Sequence, residues 1–207
     1  MFLAINEIKH SKLRYALVIG VMFLISYLVF FLSGLAYGLA QENRMAVDKW
    51  KATDIFLSEK ANDSLNMSMI DSDIASQVKA KEKAVLAQTA GIIYDANDES
   101  KKNNVSFFGI NSNEFLNPNI IEGRDFKNKG EVVADISFKN QYDYKLGDKI
   151  KLATNNEVLT IVGFTDSAKF NISPVLYTSL DTFQQIRYGS NSNFQPKTTY
   201  YRHARKN

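Results

Sequence analysis

Positions 15–40, from Tyr15 to Ala40, form an unbroken uncharged run in which 21 of 26 residues are hydrophobic. As a helix rising about 1.5 Å per residue, the run is roughly 39 Å long, against a bilayer hydrocarbon core of about 30 Å. It predicts one transmembrane helix, with Tyr15 and Tyr37 placed for the two interfaces. A cleaved signal peptide is the competing reading, because Gly38-Leu39-Ala40 offers small residues before Gln41. A signal h-region, however, is normally about 7–15 residues.

Ahead of the run, Phe2, Ile5 and Ile8 recur every three residues while Glu7, Lys9 and Lys12 fall elsewhere. Residues 1–14 therefore read as an amphipathic segment along the inner interface, or as the end of the same helix. Within the run Gly34 and Gly38 form a GxxxG pair with Ser33 beside it, a spacing that lets two helices approach closely. Met45, Val47 and Trp50 keep a helical rhythm, so 41–52 is expected as a stalk continuing the span.

Beyond the stalk the period changes. Asp54–Ser58 reads as a strand, and a helix is expected from Asp71 or Ser72 with Ile74 and Val78 as its apolar pair. Val85–Tyr94 and Val105–Ile110 read as strands joined by a polar loop, 95–104. Asn113–Leu116 suggests one helical turn and Glu131–Asp135 a strand. Lys149–Ala153 and Val158–Phe164 suggest a hairpin, Val175–Tyr177 a last strand and Leu180–Ile186 a helix. Strands and helices mixed over residues 53–190 imply an α+β domain.

Charge sets the orientation. Lys9, Lys12 and Arg14 precede the span, so the positive-inside rule expects a cytoplasmic N-terminus and everything after about residue 40 outside the cell membrane. The formal charge of the chain is +3. Residues 15–195 hold 18 Lys and Arg against 21 Asp and Glu, and that acidic body disfavours nucleic acid. The chain has no cysteine and two histidines, which removes disulfides and thiolate chemistry and leaves no set of His ligands for a metal. There is no GxxxxGK[ST], GxGxxG or GxSxG motif. The carboxylates Glu122, Asp125, Glu131 and Asp135 read as a solvated face or turn formers rather than a catalytic pair, and Met67 and Met69 as fillers. The Asn-x-Ser sites at Asn62, Asn66, Asn104 and Asn171 carry meaning only in a eukaryotic secretory pathway. No enzyme is expected, with neither a catalytic nor a metal site.

Several fragments in order carry a resemblance. They are Leu3-Ala4-Ile5-Asn6-Glu7-Ile8, Arg14-Tyr15 and Ser33-Gly34-Leu35-Ala36-Tyr37-Gly38-Leu39, followed by Glu122-Gly123-Arg124-Asp125-Phe126 and Gly130-Glu131-Val132-Val133. Leu146-Gly147-Asp148-Lys149-Ile150 and Ile161-Val162-Gly163-Phe164 complete the set. Over residues 1 to about 188 the chain resembles FtsX-like ABC transporter permeases with a MacB-like periplasmic core domain, nearest the hemin efflux branch. The resemblance implies a permease subunit of an export system, working as a dimer with a second copy. It would be driven by a separate cytoplasmic ATPase that uses the ATP. This chain would bind no cofactor of its own, and hemin would be its substrate. Phe2, Ile5 and Ile8 would then meet the ATPase or the inner interface, and Phe23, Tyr27, Phe30, Phe31 and Tyr37 would line a hydrophobic substrate path.

Such permeases continue into three further spans, so the sequence is expected to be a truncated or frame-shifted permease. Its basic stretch 191–207 then reads as an atypical tail foreign to the fold. The alternatives are a single-span anchored binding or adaptor domain, and a secreted domain left after signal cleavage.

Overall fold

A computed structural model of the chain describes residues 11–70, 78–96, 98–189 and 199–203. The chain divides into two compact units, Met1–Gln41 and Glu42–Asn207. Helix α1 (Lys12–Lys49) is 38 residues long, begins in the first unit and ends in the second. No proline interrupts it, and by length and hydropathy it can cross a membrane. Ser26, a polar residue within the apolar run, donates from Oγ to the Met22 carbonyl at 2.9 Å, so its hydroxyl is not left unpaired. The helix stops where Trp50 N–H turns back onto the Val47 carbonyl and Lys51 adopts a left-handed φ of 50°. The segment carrying Phe2, Ile5 and Ile8, and most of the helix expected from Asp71, lie outside the described residues.

The second unit is built on one mixed sheet. Its strands are β1 (Asp54–Phe56), β2 (Glu82–Asp95), β3 (Asp98–Ile110), β4 (Ile120–Gly123) and β5 (Glu131–Asp135), then β6 (Lys149–Leu152), β7 (Val158–Thr165), β8 (Lys169–Phe170), β9 (Ser173–Ser179) and β10 (Thr199–His203). The main path runs β1-β10-β2-β3-β9-β5-β7-β4. The β3–β9 and β5–β7 pairs are parallel and the others antiparallel. Because β6 pairs with both β2 and β7, the path β2-β3-β9-β5-β7-β6 closes on itself. Closure removes edges from its central strands.

Period-two alternation divides the apolar residues between two cores. On one side Val105, Phe107, Val132, Ala134, Leu159, Ile161 and Leu176 pack with Phe138 and Tyr144. On the other, Phe108, Ile110, Val133, Val175 and Tyr177 pack with Ala46 near the C-terminal end of α1 and with Trp50 just after it. Helix α2 (Ser137–Tyr142) supplies Phe138 to the first core. Helix α3 (Leu180–Tyr188) supplies Phe183 and Ile186, and the Ser179 side chain caps it by accepting from Thr182 N–H at 3.2 Å.

The α+β class, the hairpin at 149–165 and the helix after Ser179 match the pattern of the sequence. Three places differ. The stretch 95–104 is not a loop, since the two strands run on as a hairpin to Asp95 and Asp98. Lys101, Lys102 and Asn104 are exposed on this ribbon while Asn103 is buried; Lys102 lies over the Tyr94 ring at 5.7 Å and Lys151 pairs with Glu99 at 3.0 Å. Asn113–Leu116 makes no helical turn. Two successive tight turns bond Glu114 N–H to Asn111 O and Asn117 N–H to Glu114 O, both at 3.1 Å. Finally, Thr199–His203, within the stretch set apart as a foreign tail, forms β10 between β1 and β2. Its Thr-Tyr-Tyr run is strand-forming in kind, and the surrounding basic residues obscured that propensity.

Candidate functional site

The uncharged part of α1 is two-faced. Ala16, Gly20, Phe23, Tyr27, Phe30, Gly34, Tyr37 and Gln41 follow one another at alternating spacings of four and three. That rhythm places them in one stripe along the helix, the geometry of a helix–helix seam. Half a turn away, Val18, Val21, Ile25, Leu28, Leu32, Leu35 and Leu39 repeat the same rhythm with aliphatic residues alone. Phe31 and Gly38 flank the first stripe, and the Tyr27 and Phe31 rings stack at 6.1 Å. Ser33 lies beside Gly34 along the chain, off the centre of the stripe.

The structure therefore gathers Phe23, Tyr27, Phe30, Gly34 and Tyr37 on a single face, with Phe31 and Gly38 at its margin. A methyl group built on Gly34 or Gly38 would meet nothing within 4 Å. The four–three spacing is visible in the sequence once aromatics and glycines are scored together.

The C-terminal end of α1 is anchored within the second unit. Glu42 pairs with Lys169 at 2.9 Å, and Asn171 N–H donates to the Asn43 carbonyl at 3.2 Å. Lys49 Nζ donates to both the carboxylate and the backbone carbonyl of Asp166, each at 2.6 Å. That hydrogen bond holds the Asp166 carboxyl below its usual range. Ala46 is fully buried in the core that holds Trp50 and Phe108. The Trp50 ring lies 5.5 Å from that of Phe108, and its indole hydrogen-bonds to the Tyr177 hydroxyl. Burial pushes the Tyr177 phenol well up. The β7–β8 loop, 166–168, with Lys169 after it, thus grips the last two turns of the helix.

The motif residues of the domain serve as braces. Arg124 forms a fork onto Glu131, one arm at 2.7 Å, and Glu131 also accepts from Lys127 N–H at 2.9 Å and Asn128 N–H at 3.1 Å. Glu122 pairs with Lys139 at 2.6 Å. Asp125 accepts from Asn117 Nδ2 at 2.8 Å, and Asp135 accepts from Ser137 and Ala168 N–H at 2.9 and 2.7 Å. Each of the four carboxylates is thus committed to its own partners, and no two of them bond one another. Met67 and Met69 are exposed.

The Arg124 fork depresses the Glu131 pKa far below its ordinary 4.5. Its contribution is therefore full above that value and is lost as pH falls toward the folded-state pKa. Glu131→Gln should cost about 2 kcal/mol at neutral pH, as expected for lost charge-assisted hydrogen bonds. It should also flatten the acid limb of a plot of unfolding temperature against pH.

Residues 15–202 match the family model of the MacB-like periplasmic core domain. The chain belongs to this family. The match passes Tyr188, where the sequence resemblance stopped, and takes in most of β10. Two curated relatives of this MacB-like chain carry the name "Putative hemin transport system permease protein HrtB". The Staphylococcus epidermidis protein is 25% identical over 185 residues, 89% of this chain and 51% of the relative. The Staphylococcus haemolyticus protein is 23% identical over 188 residues, 90% and 52% respectively. The chain thus spans about half the length of these relatives, which are named as transport proteins rather than enzymes. In fold it is similar to the periplasmic region of MacB from Actinobacillus actinomycetemcomitans. The TM-score is 0.51 at 16% identity, over 74% of this chain and 76% of that one.

Proposed function

We propose that this chain acts as the membrane-spanning and extracytoplasmic part of an ABC export permease, with hemin as the substrate and a separate cytoplasmic ATPase as the motor. The observation that carries the reading is α1, an unbroken helix whose uncharged run leads into a stretch gripped by Lys169 and Asp166. Such a helix can pass force between membrane and domain without any bond chemistry on this chain. The bases before the span support a cytoplasmic N-terminus, with Phe2, Ile5 and Ile8 toward the inner interface or the ATPase.

In this reading the aliphatic face of α1 meets lipid. The stripe with Phe23, Tyr27, Phe30, Gly34 and Tyr37 meets other helices, a second permease copy or the flat porphyrin. Glycines permit the close approach and aromatics supply stacking area. Phe31, Gly38 and Ser33 border that contact. ATP would be used by the partner, and hemin would be cargo rather than a resident cofactor.

Mild-detergent extraction from native membranes, with mass spectrometry for an ATPase and an absorbance scan for bound porphyrin, tests this. Recovery of both is expected. Gly34→Leu should reduce the recovered porphyrin and partner several-fold, while Leu32→Ile on the opposite face should not. A chain that stays membrane-bound but emerges alone and colourless would instead be a single-span anchored domain.

A further inference from the structure

The turn between β8 and β9 carries an apolar side chain where the backbone disfavours one. Lys169 pairs with Pro174 and Phe170 with Ser173, which leaves Asn171 and Ile172 as a two-residue turn. Both are left-handed, with φ of 49° and 67°. Tight hairpins need that backbone, and it suits Asn at the first position and Gly at the second. A β-branched residue in the second place is strained. Ile172 is also 56% exposed, so packing among the described residues does little to offset the strain.

We propose that Ile172 is a lipid-contact residue, entering the bilayer surface beside the point where α1 emerges, given that α1 is the membrane span read above. Position, direction and chemistry each support this occupant.

The position is set by a hydrogen bond. Asn171 N–H donates to the Asn43 carbonyl at 3.2 Å. Asn43 stands three residues beyond Ala40, where the uncharged run ends, which is about 5 Å of helix rise. The polar layer of a bilayer is about 5–8 Å deep on each side. The turn therefore lies at the level of that layer.

The direction follows from β9. The hairpin meets α1 at Asn43 through its turn and meets Trp50, just past the helix, through Tyr177. Strand β9 thus leaves the turn in the same sense as α1 leaves the apolar run. The turn is the end of this hairpin nearest the span.

The chemistry is apolar contact rather than attraction to a charged headgroup. Neither turn residue is charged, and the neighbouring Lys169 is paired with Glu42 at 2.9 Å. Headgroups can hydrogen-bond the exposed Asn171 while acyl chains receive Ile172.

The chain has no cysteine, so Ile172→Cys accepts a single nitroxide label. The full chain is placed in phosphatidylcholine nanodiscs. Collisions of the label with oxygen, which concentrates in lipid, are compared with collisions with a water-soluble nickel chelate. Leu28→Cys, on the aliphatic face of α1, is the lipid reference. Ser112→Cys is the water reference. It is exposed and follows β3, which runs parallel to β9 and away from the turn. The oxygen-to-nickel ratio at 172 should exceed that at 112 several-fold and approach that at 28. The unlabelled Ile172→Cys thiol should also react several-fold more slowly than Ser112→Cys with a charged maleimide, a readout free of the label's own apolarity. A water-like ratio at 172 with a lipid-like ratio at 28 would overturn the proposal and leave the span standing. Water-like ratios at both would overturn the span as well. A label at 172 shielded from both reagents would mean that protein, such as a second copy, covers the turn, and would also overturn the proposal.

Discussion

Phe108→Ala is expected to destabilise the second unit by about 3–5 kcal/mol, the usual cost of removing a fully buried phenyl ring. Phe108 is 0% exposed, and its ring meets Trp50 at 5.5 Å, Phe170 at 5.4 Å and Tyr177 at 5.6 Å. These partners come from three places, the residue that follows α1 and strands β8 and β9. None lies on the same strand, so no neighbour can fill the space by a rotamer change alone. The loss therefore combines transfer, cavity and ring-contact terms. Trp50 emission in a denaturant titration checks it, because the indole loses one wall and should shift to the red before unfolding begins. Phe108→Leu keeps most of the volume and should cost less than about 2 kcal/mol. A cost below about 1 kcal/mol for Phe108→Ala would mean that Trp50 does not pack on the sheet. The anchorage of α1 would then rest on its surface ion pairs, which are individually weak.

How much was legible in the sequence depended on how local each signal was. The long apolar helix was plain because a 26-residue uncharged run with no proline has few other solutions. The hairpin at Lys149–Thr165 and the helix after Ser179 were plain because alternation and capping are short-range. The long β2–β3 ribbon differs from the polar loop the sequence suggests, since strand pairing satisfies the backbone of Lys101–Asn104 whatever the side chains are. Strand β10 was missed for a related reason, as its partners Leu86 and Phe56 lie more than a hundred residues away in sequence. The grip on α1 was also illegible. Lys49–Asp166 and Glu42–Lys169 join residues more than a hundred positions apart, and nothing in single-sequence periodicity pairs them. The family motifs were legible as motifs but not as mechanics. Arg124 and Glu131 are seven residues apart, and only the turn between β4 and β5 brings them together.

Gly163→Ala should cost about 3 kcal/mol or more, although it adds a single methyl group. Gly163 on β7 faces Gly123 on β4 as its register partner. A Cβ at Gly163 would overlap the Arg124 carbonyl oxygen and lie 3.3 Å from that of Glu122. Both are backbone atoms of an edge segment, so relief requires moving the strand rather than turning a side chain. Gly123 is bound by the reciprocal constraint. Its φ is +80°, and a Cβ there would overlap the Val162 carbonyl oxygen and sit 2.9 Å from Gly163 Cα. Alanine at position 123 therefore adds backbone strain to the clash. Either substitution should loosen β4, break the 3.0 Å bond from Arg124 N–H to Val162 O, and release the Arg124–Glu131 brace. Hydrogen exchange should show lost protection at Gly123 and Arg124 while β3 and β9 stay protected. Because both methyls disrupt one contact, the double variant should cost clearly less than the sum of the singles. Gly34→Ala, where a methyl meets open space within this chain, serves as the reference and should leave the stability of the second unit unchanged. Strict additivity at 123 and 163 would show that β4 is not held against β7 through this glycine pair.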